Sequence, residues 1–360
     1  MILFGLLFLP VLLGLAGLIF GKGKVTLKEF LVHEAIVVVI LTSGFFIARC
    51  GAMTDTEIWN GRIARKWEES GSCCHSYRCN CHEVCNSEGE SCHESCDTCY
   101  EHISDDEWHA ISTNNEIVFS DNCNRPGSAP PSRWLQIVPG EPTAVEHWYQ
   151  NYIKGNHDSI FRREGAKARF KRFIPEYPEV YDYYRANRFL AVGVAIPNLH
   201  ALNQRLGEIN GRLGAAKQVH IIVLVVPERD PMYLEGLREA WLGGKKNDFI
   251  VVIGAPEYPA IAWAGAISWT RVEELKLAVR DRIMELETFQ GERVLQIVHE
   301  EVRDKFIRRP MSDFEYLRYS VTPPEWASWM LFFLGVIIAV ALQWYFWNED
   351  PFGDGLRRRY

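Results

Sequence analysis

Cysteine supplies the most concentrated chemistry in this chain of 360 residues, which contains ten of them. Eight fall in the run SCCHSYRCNCHEVCNSEGESCHESCDTCY, and one more follows shortly after it. Such density predicts a small, loop-rich module that is stabilised by disulfides because its core is too small. Nine is an odd number, so one thiol stays free or pairs with another chain. The candidates for disulfide bonding are Cys73, Cys74, Cys79, Cys81, Cys85, Cys92, Cys96, Cys99 and Cys123.

A zinc-binding module is the alternative for the same segment. Five histidines lie among or just after the cysteines, and Cys96-x-x-Cys99 has the spacing of a ligand pair. However, the segment contains no clean pair of C-x-x-C knuckles, and the adjacent Cys73–Cys74 is uncommon in zinc sites. Disulfides are therefore the favoured interpretation. The histidines are His75, His82, His93, His102 and His109.

Signals for catalysis are weak. Gly155-Asn156-His157-Asp158 matches a fragment found in metallophosphoesterases, but the D-x-H and G-D-x-x-D motifs that such sites need do not precede it. The fragment is thus expected to be a polar turn. His220 stands inside an apolar run and is expected to be a core histidine. No catalytic residue, cofactor or metal ligand is assigned from these motifs, and the chain is expected not to be an enzyme.

Four carboxylates offer the remaining route to an active site. Glu228, Asp230, Asp248 and Glu257 lie near the ends of predicted strands, where open α/β sheets usually bind ligands. They could hold a divalent cation for phosphate hydrolysis. They could equally cap helices, as Asp230 before Pro231 indicates. If the chain is an enzyme, a phosphatase is the class expected.

Strands and helices alternate from about residue 188. The run Val219–Val226 is almost entirely β-branched or leucine, which is typical of a strand covered on both faces. Apolar residues recur at helical spacing in Leu199–Leu213, Val272–Leu286 and Val294–Phe306. This alternation predicts an α/β sandwich.

These residues resemble the TPM domain, an α/β module of membrane-anchored bacterial and thylakoid proteins. The resemblance covers Leu199 to Arg309 and is carried by KQVHIIVLVVP, by EAWLGGKKNDFIVVIGAP and by amphipathic helices at either end. Where the family continues with a glycine-rich stretch like GYGLEG, this chain has IAWAGAISW. The resemblance implies either phosphatase activity or a role in assembly without chemistry.

A second resemblance covers the cysteine-rich module. TEIWNGRI, SCCHSYRCNC, CDTCYEH and PGEPTAVEHWYQNYIKGNHDSIF look like membrane proteins encoded by tailed bacteriophages, whose role is not established. The resemblance implies a location in the inner membrane of an infected bacterium, with the large domain in the periplasm.

Three apolar runs predict transmembrane helices, at residues 2–20, 35–48 and 326–347. Tryptophan and tyrosine flank both ends of the third run, as at a membrane interface. The connector Gly21–Phe30 is rich in lysine, and three arginines lie at Arg357–Arg359. By the positive-inside rule both segments are cytoplasmic. The N-terminus is then outside, the C-terminus is cytoplasmic, and residues 51–325 lie outside the cytoplasm.

The predicted organisation follows from these patterns. It comprises a transmembrane hairpin (1–50), a Cys-rich module (51–125), a Pro/Tyr-rich connecting region (126–187), a TPM-like domain (188–310), a third transmembrane helix (326–347) and a cytoplasmic tail (348–360). The expected function is a non-catalytic scaffold or interaction module, with the lipid bilayer and a protein outside the cytoplasm, or a second copy of the chain, as partners. Net charge is −7 and only residues 162–172 form a basic patch, so nucleic-acid binding is not expected.

Overall fold

The computed structural model describes residues 2–20, 25–85, 92–156, 165–349 and 351–352. The α-helices are α1 (Ile2–Phe20), α2 (Leu27–Met53), α3 (Ser132–Gln136), α4 (Tyr152–Gly155), α5 (Ala166–Phe170), α6 (Leu199–Lys217), α7 (Tyr233–Ala240), α8 (Glu274–Met284), α9 (Gly291–Lys305) and α10 (Glu325–Glu349). The strands are β1 (Thr54–Ser72), β2 (Ser76–Cys85), β3 (Cys92–Tyr100), β4 (Ser104–Ser112), β5 (Ile117–Asn124), β6 (Pro142–Gln150), β7 (Val180–Tyr181), β8 (Arg185–Ala186), β9 (Phe189–Ala191), β10 (His220–Val226), β11 (Asp248–Gly254) and β12 (Trp263–Ser268). Two 3-10 segments lie at Lys171–Phe173 and Met311–Ser320.

The chain divides into two compact units. The described parts of residues 1–55, 148–161 and 310–360 form the first unit, and those of residues 56–147 and 162–309 form the second. Three long helices of the first unit, α1, α2 and α10, pack against one another. All three are long and apolar enough to cross a membrane, with mean hydropathies of 2.6, 2.2 and 2.0. Helix α2 is longer than the apolar run 35–48 because Thr26 and Glu29 form a capping box that starts it earlier.

A polar layer lies within this three-helix bundle. His33 is buried, and its Nε2 lies 3.1 Å from the carbonyl oxygen of Ala339 on α10. Its Nδ1 lies 3.2 Å from a carboxylate oxygen of Glu34. Gly14 of α1 allows this approach, because a Cβ there would be 2.6 Å from the His33 ring. The layer therefore links all three helices at one level and defines how they align.

The second unit contains a mixed sheet in the order β12-β11-β10-β9. Strands β9, β10 and β11 are parallel, and β12 is an antiparallel edge strand. Every residue of β10 is buried, since α6, α8 and α9 cover one face of the sheet and α5 and α7 the other. This explains the continuous apolar run of the sequence and confirms the α/β class. Strand β9 has only three residues, and Gly193, with a φ of +69°, follows two residues after its end.

A four-stranded sheet, in the order β5-β4-β1-β6, forms the other half of this unit. Strand β6 comes from the segment 126–187 that the sequence marks only as a connecting region. Two buried amides connect β1 to the α/β half: Asn60 donates to the Val219 carbonyl at 3.0 Å, and Asn247 donates to the Ile58 carbonyl at 2.7 Å. Buried amide-to-backbone hydrogen bonds of this kind favour one arrangement of the two halves.

Strands β2 and β3 form a separate two-stranded sheet, which we call the disulfide ribbon. Nearly all of its described residues are exposed on both faces, so it has no hydrophobic core of its own. An isolated two-stranded sheet is marginal in water. Its stability must therefore come from cross-links.

Candidate metal centre

All cysteines but two are paired in disulfides. The pairs are Cys74–Cys123, Cys79–Cys99, Cys81–Cys96 and Cys85–Cys92. Three of these pairs join β2 to β3 across the ribbon, and the fourth joins the base of the ribbon to β5. The density of cysteine thus leads to a disulfide framework, as predicted. A cross-link that closes about 15 residues stabilises by about 3 kcal/mol through the entropy of the unfolded chain.

Cys73, one of the nine predicted candidates for disulfide bonding, forms no disulfide, which corrects that prediction. It keeps a free, buried thiol, and the other free cysteine, Cys50, is exposed on α2. The physical reason is direction: the Sγ of Cys73 points toward the carbonyl oxygen of His75, at 3.7 Å, whereas the neighbouring Cys74 pairs with Cys123. Cys73 is the thiol that an odd count of nine leaves over.

Three further ligand-type side chains surround this thiol. Cys73, His75, His102 and Asp105 each offer one ligand atom, and these atoms all lie within 4.8 Å of one another. His75 Nδ1 lies 3.3 Å from Asp105 Oδ1, which also contacts His102 Nε2. The two imidazole rings are 5.1 Å apart between centroids. We call these four residues the metal centre.

Two β-ladders meet at the metal centre and bring its residues together. The β1–β4 ladder ends with the pair Ser72–Ser104, so Cys73 leaves β1 beside the residues that precede β4. The ribbon begins with the pair Ser76–Tyr100. Cys73 and His75 therefore come from the turn between β1 and β2. His102 comes from the segment that joins β3 to β4, and Asp105 is the second residue of β4. The centre is a joint between the ribbon and the four-stranded sheet.

Burial and hydrogen bonding prepare Asp105 to be a ligand. Its carboxylate is inaccessible to solvent, and its Oδ2 accepts a hydrogen bond of 2.7 Å from the backbone N–H of Cys74. Burial by itself raises the pKa of Asp105, but the hydrogen bonds from Cys74 and His102 and the charges of the histidines outweigh it and lower the pKa. Asp105 is therefore ionised at neutral pH, with one oxygen oriented by the backbone and the other directed at the centre.

The chemistry of this donor set fits zinc. Thiolate, imidazole and carboxylate are the zinc ligands of proteins, with bonds of about 2.0–2.3 Å in tetrahedral geometry. Such bonds place ligand atoms about 3.4 Å apart. The four ligand atoms lie within 4.8 Å of one another, so small side-chain movements bring them to that geometry. Four protein ligands leave no open position, which is typical of a structural site.

The other histidines of the zinc interpretation do not take part. His82 and His93 lie exposed on the ribbon, and His109 lies beside Glu69 and Glu107. Cys96-x-x-Cys99, the spacing that suggested a ligand pair, is not one, because both sulfurs are in disulfides. Sequence reasoning missed Asp105. The usable signal was a pair of short spacings, Cys73-x-His75 and His102-x-x-Asp105.

The four carboxylates proposed for a phosphatase do not converge. Asp248 begins β11, and Glu257 follows the opposite end of the same strand. Strand β11 has seven residues, so its two ends are roughly 20 Å apart. Asp230 accepts from the backbone N–H of Met232 just before α7, which is a capping role, and Glu257 pairs with Arg229. Among the residues that the structure describes, none of the four joins a cluster able to hold a metal.

His220 is a buried core histidine. Its Nδ1 lies 3.0 Å from Asp248 Oδ1, and the Tyr177 hydroxyl donates to both oxygens of Asp248 at 3.0 Å. Burial lowers the pKa of His220 more than Asp248 raises it, so the ring is neutral at pH 7. Of the GNHD fragment, Gly155 and Asn156 end α4, while the rest lies outside the described residues. The basic patch 162–172 is described only from residue 165 onward and includes α5.

No family model, curated protein or solved structure matches this chain. The TPM and bacteriophage resemblances therefore remain predictions from the sequence.

Proposed function

We propose that this is a membrane-anchored protein that presents a disulfide-linked, zinc-binding domain outside the cytoplasm as a non-catalytic interaction module. The observation that carries the proposal is the convergence of Cys73 with His75, His102 and Asp105. Eight other cysteines pair with one another while this one stays reduced and buried among nitrogen and oxygen ligands. A domain that uses both disulfides and a bound metal needs its metal-binding thiol to stay out of the disulfides.

The ribbon is the part best suited to bind a partner. It projects two exposed strands, and three disulfides fix its conformation before binding. A surface that is already rigid loses little conformational entropy when it binds. The metal centre lies at the base of the ribbon, so zinc sets its direction relative to the four-stranded sheet. A closed, four-ligand site supports this structural role over a catalytic one.

The setting is proposed from charge and cysteine chemistry together. Disulfides persist in oxidising compartments, and the lysine-rich connector favours a cytoplasmic location for residues 21–30. The two sequence resemblances support a bacterial inner membrane, in a cell infected by a phage, with a TPM-like domain at residues 188–310. The N-terminus is then outside and the C-terminus inside.

Metal analysis of the purified full-length chain tests the function. We expect about one zinc per chain, because the four ligands form one closed site. Cys73→Ser and His102→Ala should each reduce the zinc content well below that value. His82→Ala is the matched control, since His82 is exposed on the ribbon, lies beside the Asn80 carbonyl oxygen and is not one of the four ligands.

Two readouts separate loss of metal from loss of fold. Non-reducing mass analysis reports whether the four disulfides remain, and cobalt substitution gives a sulfur-to-cobalt charge-transfer band in the near-ultraviolet only where a thiolate binds the metal. Wild-type protein with intact disulfides but far less than one zinc per chain would contradict the proposal. Equal zinc in wild type and His102→Ala would contradict it as well.

Thiol labelling in spheroplasts tests the orientation. Cys50 is exposed near the C-terminal end of α2, just before β1 in the sequence, so a membrane-impermeant maleimide should label it without lysis. The eight paired cysteines should react only after reduction. A Cys50→Ser, Asp354→Cys variant, with its only exposed thiol in the tail, is the control and should be labelled only after lysis. The reverse pattern would invert the proposed topology.

A further inference from the structure

A fully buried arginine lies far along the chain from the metal centre. Arg188, which precedes β9, donates from Nη2 to Asn60 Oδ1 at 2.8 Å and from Nη1 to the Ala186 carbonyl at 3.4 Å. Its Nε has no hydrogen-bond partner among the described residues. Both acceptors are neutral, and within the described chain no carboxylate forms an ion pair with this guanidinium.

The charge is nonetheless retained. Desolvation lowers the pKa of Arg188 to about 10, which still leaves the guanidinium protonated at neutral pH. A buried charge without a counter-ion is costly, and proteins usually pair or neutralise it. Arg188 thus has a structural role through Asn60, but that role does not require a charge. A neutral side chain could donate the same hydrogen bond.

Arg188 lines a cavity of about 560 Å³, a volume typical of small-molecule sites. Tyr181 and Asn203 supply an aromatic and an amide group to the same lining. Glu141 and Glu208 supply two carboxylates, and Arg185 supplies a second guanidinium. Gly207 of α6 also lines it, and a Cβ at that position would lie 3.7 Å from Arg188 Nη1. The guanidinium therefore borders a space that a ligand could enter.

We propose that this cavity binds a small organic monocarboxylate, with Arg188 as its counter-ion. The planar guanidinium matches a carboxylate in geometry. Glu141 and Glu208 offset the charges of Arg185 and Arg188 in the same lining, so the cavity offers no net positive charge to a doubly charged phosphate. The same two glutamates would attract the ammonium group of an amino acid. The site is separate from the metal centre, so its existence does not depend on zinc.

Calorimetry on the full chain in nanodiscs, with acetate, 3-phenylpropionate, L-phenylalanine and inorganic phosphate as probes, tests this inference. At least one carboxylate should bind with a Kd below about 1 mM, and phosphate should bind more weakly. Tighter binding of L-phenylalanine than of 3-phenylpropionate would identify amino acids as the ligand class. The opposite order would identify simple carboxylates, and either order supports the site.

Two kinds of variant link binding to the cavity. Arg188→Met should weaken carboxylate binding by about 30-fold or more, because the ligand loses its counter-ion. Gly207→Leu should block binding because the larger side chain fills the cavity while Arg188 stays in place. This variant tests the site even if Arg188→Met fails to fold. Arg212→Ala is the control: Arg212 is exposed on the same helix and does not line the cavity, so this variant should bind as wild type does. Failure of every carboxylate to bind, stronger binding of phosphate, or unchanged binding in Gly207→Leu would overturn the inference.

Discussion

Replacing Gly214 by alanine is expected to destabilise the large unit by about 3 kcal/mol, at the upper end of the range for overpacked cores. Gly214 lies on the face of α6 that contacts β1, and an added Cβ would overlap the carbonyl oxygen of Asn60 and lie 2.5 Å from its carbonyl carbon. These are backbone atoms of a paired strand, so they cannot move aside as a flexible side chain could. The helix must shift away from the sheet instead.

Gly207→Ala in the same helix is the matched comparison. Its Cβ would meet only ordinary contacts, at 3.7 Å and beyond. Alanine also favours helix over glycine by about 0.8–1 kcal/mol, so this variant should be as stable as wild type or more so. Thermal unfolding followed by tryptophan fluorescence measures the difference. For a unit of this size the Gly214→Ala midpoint should fall by about 6–12 °C. Equal midpoints for the two variants would show that α6 and β1 do not pack closely.

The sequence predicts most of the secondary structure where local pattern and tertiary burial agree. The apolar run Val219–Val226 corresponds to β10, and the helical spacings Val272–Leu286 and Val294–Phe306 correspond to α8 and α9. The strand is predictable because burial on both faces gives a continuous apolar run, and the helices because their apolar residues recur on one face. Strand β6 was not predicted, since the prolines and glycines that precede it indicate a loop and its pairing partner, β1, is distant in sequence.

The metal centre shows why a site is harder to predict than a fold. Which of nine cysteines stays free depends on the direction in which each side chain leaves its strand, and spacing alone does not encode it. In the sequence, Asp105 is one of three acidic residues in SDDE, and nothing distinguishes it from the others. Only the β1–β4 ladder places it beside Cys73. Arg188 is similar, since a single arginine before an apolar strand gives no sign that it will be buried without a carboxylate.

Removal of zinc should have the largest effect on stability of any single treatment. A metal that binds only the folded state stabilises it by RT ln(1 + [L]/Kd), which is about 4 kcal/mol when free zinc exceeds the Kd by 1,000-fold. The β1–β4 ladder ends at Ser72–Ser104 and the ribbon begins at Ser76–Tyr100. Among the described residues, the metal centre and the Cys74–Cys123 disulfide are the cross-links at this joint. We expect a strong chelator to lower the thermal midpoint by about 8–16 °C.

The response of Cys73→Ser identifies the cause of that shift. This variant lacks the thiolate ligand but retains all four disulfides, since Cys73 takes part in none of them. Its midpoint should already be low, and the chelator should not lower it further. His82→Ala, which leaves the centre intact, should respond as wild type does. A chelator effect of equal size in Cys73→Ser would place the metal elsewhere, and no effect in wild type would mean that the four residues are held by hydrogen bonds alone. The dependence of the midpoint on Cys73 thus distinguishes a zinc joint from a hydrogen-bonded one.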